Sequence, residues 1–140
     1  MSSLLPLVPS TKPFSFFFPP FSHTQKTPPP PTTQDDSFDV ITNCVSVDYL
    51  TKPFEVFAEM SRVMRPGGLG ICAFSNRMFP TKAVSLWTST ADADHARIIA
   101  SFFKYSSDSW EAAEAKDITK ANFFGSSGDP MYVVYARKRK

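Results

Sequence analysis

Few residues in this 140-residue chain could do chemistry. Two polar clusters each follow a run of apolar and β-branched residues: Asn43, Cys44, Val45 and Ser46 close the run that starts at Phe38, and Asn76 and Arg77 follow Leu69 to Ser75. In open α/β sheets, ligands bind beyond the carboxyl ends of strands, so both clusters fall where a site would be built. Asn76 and Arg77 suit a polar or anionic acceptor; the structural alternative is an ion pair of Arg77 with Asp48 or Asp92. Asn43, Val45 and Ser46 either face a ligand or merely end a strand and open a turn. His95 follows Asp92 and Asp94, which suits acid/base chemistry because imidazole titrates near neutrality. The alternative is a surface or capping histidine at a helix start. Cys44 and Cys72 lie in apolar runs and read as reduced core thiols. Two Cys and two His, one of them His23 far from the rest, make no zinc spacing, and no Ser-His-Asp or P-loop pattern is present.

The elements that must position these residues begin at Phe38. FDVITNCVSV reads as a buried strand after the polar turn Gln34 to Ser37, and its near-continuous apolarity suits a strand covered on both faces. In the following segment Phe57, Met60 and Met64 share one helical stripe with Val56 and Val63 beside it. Pro53 fits the first turn, Arg62 and Arg65 suit the helix C-terminus, and Pro66, Gly67 and Gly68 stop it. Leu69 to Phe74 is a second strand, and strand-helix-strand implies a right-handed crossover between parallel strands. A short helix is expected around Thr81 to Trp87. A longer one is capped by Asp92 or Asp94 and buries Ile98, Ile99, Phe102 and Phe103. Trp110 to Lys116 is open between helix and a strand reaching Ile118. Met131 to Ala136 is a strand, and the loop 123–130 permits antiparallel pairing.

Composition divides the chain in two. Residues 1–34 hold nine of the 13 prolines, five of the 14 phenylalanines and ten Ser or Thr, with Lys12 and Lys26 as the only charges. All 13 acidic residues lie from Asp35 onward, against 13 of the 15 basic ones, so the net charge of +2 belongs to the N-terminal segment. An electrically balanced remainder argues against nucleic acid as a partner. No apolar stretch approaches the roughly 20 residues of a membrane-spanning helix. Residues 1–34 are expected to be a disordered leader that cannot pack by itself, because the prolines forbid helix and central strand. An acid-poor, hydroxyl-rich N-terminus without Arg suits a plastid transit peptide more than a mitochondrial one, which makes the chloroplast the expected location and the cytoplasm the alternative. A Pro-rich tail with no address is the other reading, with Pro28 to Pro31 in polyproline II.

Residues 38–76, FDVITNCVSVDYLTKPFEVFAEMSRVMRPGGLGICAFSN, resemble a class I S-adenosylmethionine-dependent methyltransferase of the type 11 group. Asp36-Ser37-Phe38-Asp39-Val40-Ile41 is similar to that group's entry into its fourth strand, and Glu59 to Gly68 is similar to its E-x-x-R-V-L-K-P-G-G stretch. The continuation through SNRMFPTKAVSLW, DADHARII and DPMYVVYARK resembles a plant subgroup, so the likeness spans about residues 35–140. It implies an α/β fold: a partial Rossmann-like sheet of about three or four strands with two or three helices, equivalent to the fourth to seventh strands of seven, the last antiparallel. It also implies S-adenosyl-L-methionine as cofactor, with Asn43, Val45 and Ser46 against its methionine or adenine part. The family builds its cofactor site chiefly from a first strand, a Gly-rich turn and an acidic residue ending the second strand, and no matching residues stand before Asp35. The five glycines, at 67, 68, 70, 125 and 128, do not supply that turn. The expectation is therefore the C-terminal half of a methyltransferase-like domain, with impaired or no cofactor binding on its own. The alternative is a non-enzymatic remnant or interaction module. In both cases the strand edge Val40 to Val47 is expected to recruit a second copy or a complementing chain.

Overall fold

The computed structural model describes residues 33–120 and 129–140. The leader up to residue 32, with His23 and Pro28 to Pro31, and the loop glycines Gly125 and Gly128 lie outside the described residues. Four strands and three helices run in the order β1 (Phe38–Cys44), α1 (Pro53–Val63), β2 (Met64–Ser75), α2 (Ser85–Thr88), α3 (Asp92–Ser106), β3 (Glu114–Asp117) and β4 (Met131–Arg137), with a 3-10 turn at Val47–Tyr49. The sheet order is β1-β2-β4-β3. β1 and β2 are parallel, and β4 runs antiparallel to both β2 and β3. The expected α/β fold, a four-stranded sheet with its last strand antiparallel, is present.

This topology places the three described helices on one face. From β1 to β2, and from β2 to β3, the chain crosses the sheet in the same direction between parallel strands, and two right-handed crossovers in one direction deposit their helices on the same side. Phe74 and Trp87 meet edge to face at 5.5 Å, Phe57 and Phe103 at 4.7 Å, and Phe103 and Trp110 at 5.0 Å. Cys72, Phe74, Val134 and Ala136 are buried beneath this layer. On the other face lie Val40, Thr42, Cys44, Leu69, Ile71, Ala73, Met131, Val133 and Tyr135, half-buried or exposed. Among the described residues no helix covers them. The expectation that β1 is covered on both faces is thus corrected: only Asn43 of β1 is buried. A second layer needs a crossover in the opposite direction, and strands 38–44, 64–75 and 114–117 supply none.

Several local expectations are also adjusted. β1 stops at Cys44 because Val45 takes a left-handed backbone, φ 45°, so Val47 belongs to the 3-10 turn. Helix α1 ends at Val63, and β2 already starts at Met64, which pairs with Phe38. Arg65 is therefore a strand residue, bonded to Asp39 at 2.7 Å, rather than a helix terminus. Neither Asp92 nor Asp94 caps α3: Ala91 holds the cap position without a side-chain bond, and both acids sit in the first turn, where they oppose the helix dipole favourably. The short helix spans Ser85–Thr88. The ambiguous stretch resolves as strand at Glu114–Asp117, preceded by an isolated bridge from Trp110 to Lys138.

Cys72 is buried, and burial pushes its thiol pKa well up, with Cys44 and Asp48 adding to the shift. Cys44 is exposed, contrary to the core expectation, because its side chain points to the uncovered face at the sheet edge. Maleimide labelling of the native chain is expected to modify Cys44 rapidly and Cys72 at least about a hundredfold more slowly, at the rate of global opening. Equal rates would contradict this packing.

Candidate functional site

The carboxyl ends of β1 and β2 lie side by side, since Cys44 is opposite Ala73. Two hydrogen bonds tie the loops that leave them: the Val84 N–H donates to the Asp48 carbonyl at 2.9 Å, and the Phe79 N–H donates to the Tyr49 hydroxyl oxygen at 3.0 Å. The rim expected from the sequence is therefore one structural unit.

Within it, Asn43 is 9% exposed, and its side-chain oxygen accepts a 2.8 Å bond from the Ser46 hydroxyl. Val45 is 49% exposed and donates its backbone N–H to the Ala73 carbonyl at 2.8 Å. A β-branched residue at positive φ is costly, and such strain clusters at functional sites. Asn43, Val45 and Ser46 are thus brought together at the end of β1. Asn76 and Arg77 are exposed just beyond the end of β2. Arg77 pairs with neither Asp48 nor Asp92; its guanidinium meets Asp129 at 2.6 Å, both groups being largely solvated. Such an exposed pair holds the guanidinium weakly, leaving it available to an anion.

His95 does not belong to this site. It is 1% exposed and stacked on Trp87 at 3.9 Å, with its Nε2 3.0 Å from the Trp87 carbonyl oxygen. A carbonyl accepts only, so Nε2 carries the proton. Nδ1 has no hydrogen-bond partner and lies 3.8 Å from Asp92. The capping and acid/base readings both give way to a buried packing role.

Asp48 was missed by sequence reasoning as anything beyond an ion-pair partner. It is buried, and burial raises its pKa from 3.8, opposed by hydrogen bonds from its own backbone and Tyr49 and by the nearby His95. A carboxyl whose folded pKa exceeds its unfolded one adds stability at pH below the unfolded value and loses it as pH rises through the folded value. Asp48→Asn is accordingly expected to raise the Tm at pH 7, and the gain should vanish near pH 3. A lower Tm at pH 7 would show that the carboxylate is stabilising.

The described residues do not by themselves enclose S-adenosylmethionine. Of the described glycines, Gly67 and Gly68 lie at the amino end of β2, opposite the rim, and Gly70 sits mid-strand beneath Phe103 and Trp110. The Asn43 side-chain oxygen is already engaged by Ser46, and among the described residues the rim offers one wall without a phosphate- or ribose-sized cradle. A pocket of about 150 Å³ lies among Val47, Leu50, Pro53, Val84, Trp87 and Phe102, but it contains none of the rim candidates and is below the usual range of roughly 300–1,000 Å³ for ligand sites. Among the described residues no group of three or more His, Cys, Asp or Glu could hold a metal ion, and no helix is long and apolar enough to cross a membrane.

The Glu59 to Gly68 motif is structural. Arg62 Nε donates to Glu59 at 2.8 Å, Arg62 also pairs with Asp35 and bonds the Thr33 carbonyl at 2.8 Å, and Arg65 holds Asp39. These bonds brace the entry into β1 against the end of α1, at the far end of the sheet from the rim.

Comparison with known proteins agrees with this architecture. The family model described as a methyltransferase domain matches residues 25–72. No curated protein matches the chain. Among solved structures, an S-adenosylmethionine-dependent methyltransferase from Archaeoglobus fulgidus is similar with a TM-score of 0.53 and 10% identity, over 76% of this chain and 62% of that one. Phosphoethanolamine N-methyltransferase 2 of Haemonchus contortus, solved with S-adenosyl-L-methionine, gives 0.50 and 10%, over 77% and 35%. The [4+2]-cyclase SpnF gives 0.51 and 14%, over 77% and 52%, so one fold serves more than one reaction. The chain spans between 35% and 62% of the length of these three structures. Over its described residues the chain folds as a partial Rossmann-like α/β sheet, similar to part of these methyltransferase structures.

Proposed function

We propose that this chain supplies the C-terminal half of an S-adenosylmethionine-dependent methyltransferase and binds the cofactor poorly or not at all without a complementing half. The observation that carries the reading is the parallel pair β1 and β2, with β1 at the sheet edge and its carboxyl-end loop tied to the loop after β2. The match of residues 25–72 to a methyltransferase domain favours methyl transfer over other chemistry on the same fold. In this reading Asn43, Val45 and Ser46 form one wall of the cofactor site, and Asn76 and Arg77 orient a polar or anionic acceptor. Positioning is the main service such residues render, because methyl transfer requires alignment of the acceptor with the sulfonium methyl group.

The experiment is equilibrium dialysis of labelled S-adenosylhomocysteine against the chain mixed with a polypeptide carrying a strand, Gly-rich turn and helix of a related methyltransferase. Saturable binding by the mixture, absent from either component and weakened about tenfold by Ser46→Ala, is expected. Binding that needs only the added polypeptide would overturn the reading.

The leader, 1–34, is proposed to be a plastid address, on its hydroxyl-rich, acid-free composition. Residues 1–34 fused to a fluorescent protein should direct it to plastids in plant cells; fluorescence remaining in the cytoplasm would refute this.

A further inference from the structure

We propose that a second copy of this chain pairs antiparallel with β1 about a twofold axis at Thr42, joining two four-stranded sheets into one of eight strands. The argument starts from backbone direction. The Val45 N–H donates to the Ala73 carbonyl, so by alternation the backbone groups of Ile41 and Asn43 also point toward β2. Those of Val40, Thr42 and Cys44 point the other way. β1 has a neighbour only on its β2 side among the described residues, which leaves these three N–H and three C=O groups at the sheet edge.

An antiparallel twofold at Thr42 satisfies all of them. Thr42 faces its own symmetry mate and Val40 faces the second copy's Cys44, giving about six inter-strand hydrogen bonds. The register ends naturally at Cys44, because the left-handed backbone of Val45 terminates the strand. Charge allows it as well. Val40 to Val47 carries no ionisable side chain except the thiol of Cys44, and the nearest charge, Asp39, falls opposite the second copy's Val45 rather than its own mate. From Val40 to Cys44 the edge also lacks the lysine, proline or inward charge with which proteins block edge pairing. The side chains of Val40, Thr42 and Cys44 all project to the uncovered face, so the paired strands place a Val against a Cys and two Thr together on that surface.

A second copy suits this edge better than the chain's own leader does. The nine leader prolines divide it into stretches of at most seven residues, and the longest, 21–27, has six polar side chains out of seven. That stretch has no apolar alternation to match Val40 and Cys44, and each proline removes a donor. The proposal concerns the edge alone and is read without S-adenosylmethionine, so it stands or falls separately from the cofactor reading.

The test is sedimentation velocity of the full chain from about 1 to about 100 μM, with near-UV circular dichroism to verify the fold. A reversible dimer is expected. Thr42→Pro deletes an outward N–H in each copy while leaving the ladder to β2 intact, and should weaken dimerisation by about tenfold or more. Val40→Lys, which keeps the backbone unchanged, should act in the same direction. Thr42→Cys combined with Cys44→Ser should be cross-linked between copies at position 42 by the short thiol cross-linker dibromobimane, since facing hydrogen-bonded residues lie about 5.5 Å apart. A monomer at every concentration would overturn the proposal. So would a dimer that neither Thr42→Pro nor Val40→Lys weakens, or concentration-independent hydrogen-exchange protection of the 40, 42 and 44 amides, which would mean that the leader occupies the edge.

Discussion

Phe103→Ala is expected to abolish cooperative unfolding of this chain, or to leave it only marginally folded. Phe103 is fully buried, meets Phe57 and Trp110 edge to face, and lies where α3 crosses Gly70 of β2. Truncating a buried phenylalanine costs about 3–5 kcal/mol, and each lost aromatic pair is worth roughly 0.5–1.5 kcal/mol within such losses. A single helical layer on four strands buries less than a two-layer domain, so net stability should sit near the low end of the usual 5–15 kcal/mol. The loss is then most of the total. Urea unfolding followed by near-UV circular dichroism reads it out, and Tyr105→Ala, on the exposed face of the same helix, should change stability by less than about 0.5 kcal/mol. Similar effects from both substitutions would contradict the packing.

Gly68→Ala should be the next most damaging change, by roughly 3 kcal/mol, at the upper end of the range for overpacking. A Cβ at this position would lie 2.8 Å from the Arg65 carbonyl oxygen, 2.9 Å from the Asp39 carbonyl oxygen and 2.5 Å from Met64 Cγ. Two of these neighbours are backbone and can move only by disturbing the register where β1 enters the sheet. Gly67 is constrained differently: its φ of 80° is what excludes side chains, while the space around it is open to the flexible end of Lys140. Gly67→Ala should therefore destabilise by strain alone, by about 1 kcal/mol. Thermal unfolding of the two variants gives the comparison, and equal losses would show that the close approach at Gly68 is relieved.

The physical meaning of the Pro-Gly-Gly stretch explains what was legible in the sequence. Glu59, Arg62, Arg65, Gly67 and Gly68 form a local brace of i,i+3 pairing, tight turn and close backbone approach, and such short-range constraints leave a fixed spacing that is easily recognised. The order of strands and helices was legible for the same reason. The start of β2 at Met64 was not, because pairing with Phe38 overrides the helix pattern that runs on through Met64. Nor was the one-sided sheet: an apolar run such as FDVITNC reads alike whether one face or both are covered, and crossover direction decides which. At the rim, Asn43 and Ser46 announced themselves by type and position. Their mutual hydrogen bond, the partnership of Arg77 with Asp129 and the burial of Asp48 depend on residues distant in sequence or on loop geometry. His95 illustrates the limit: its Asp-rich setting suggests chemistry, and the stacking on Trp87 that removes it from solvent has no short-range signature.

In the function proposed above, Asn43, Val45 and Ser46 form one wall of a cofactor site that a second polypeptide must complete. Isothermal titration of S-adenosylmethionine into the full chain alone tests it most directly. No saturable heat is expected up to millimolar cofactor, since Asn43, Val45 and Ser46 form a single wall and Gly67 and Gly68 lie at the opposite end of the strand. One-to-one binding in the micromolar range, about −8 kcal/mol, would contradict it and would mean that the chain completes a cofactor site by itself.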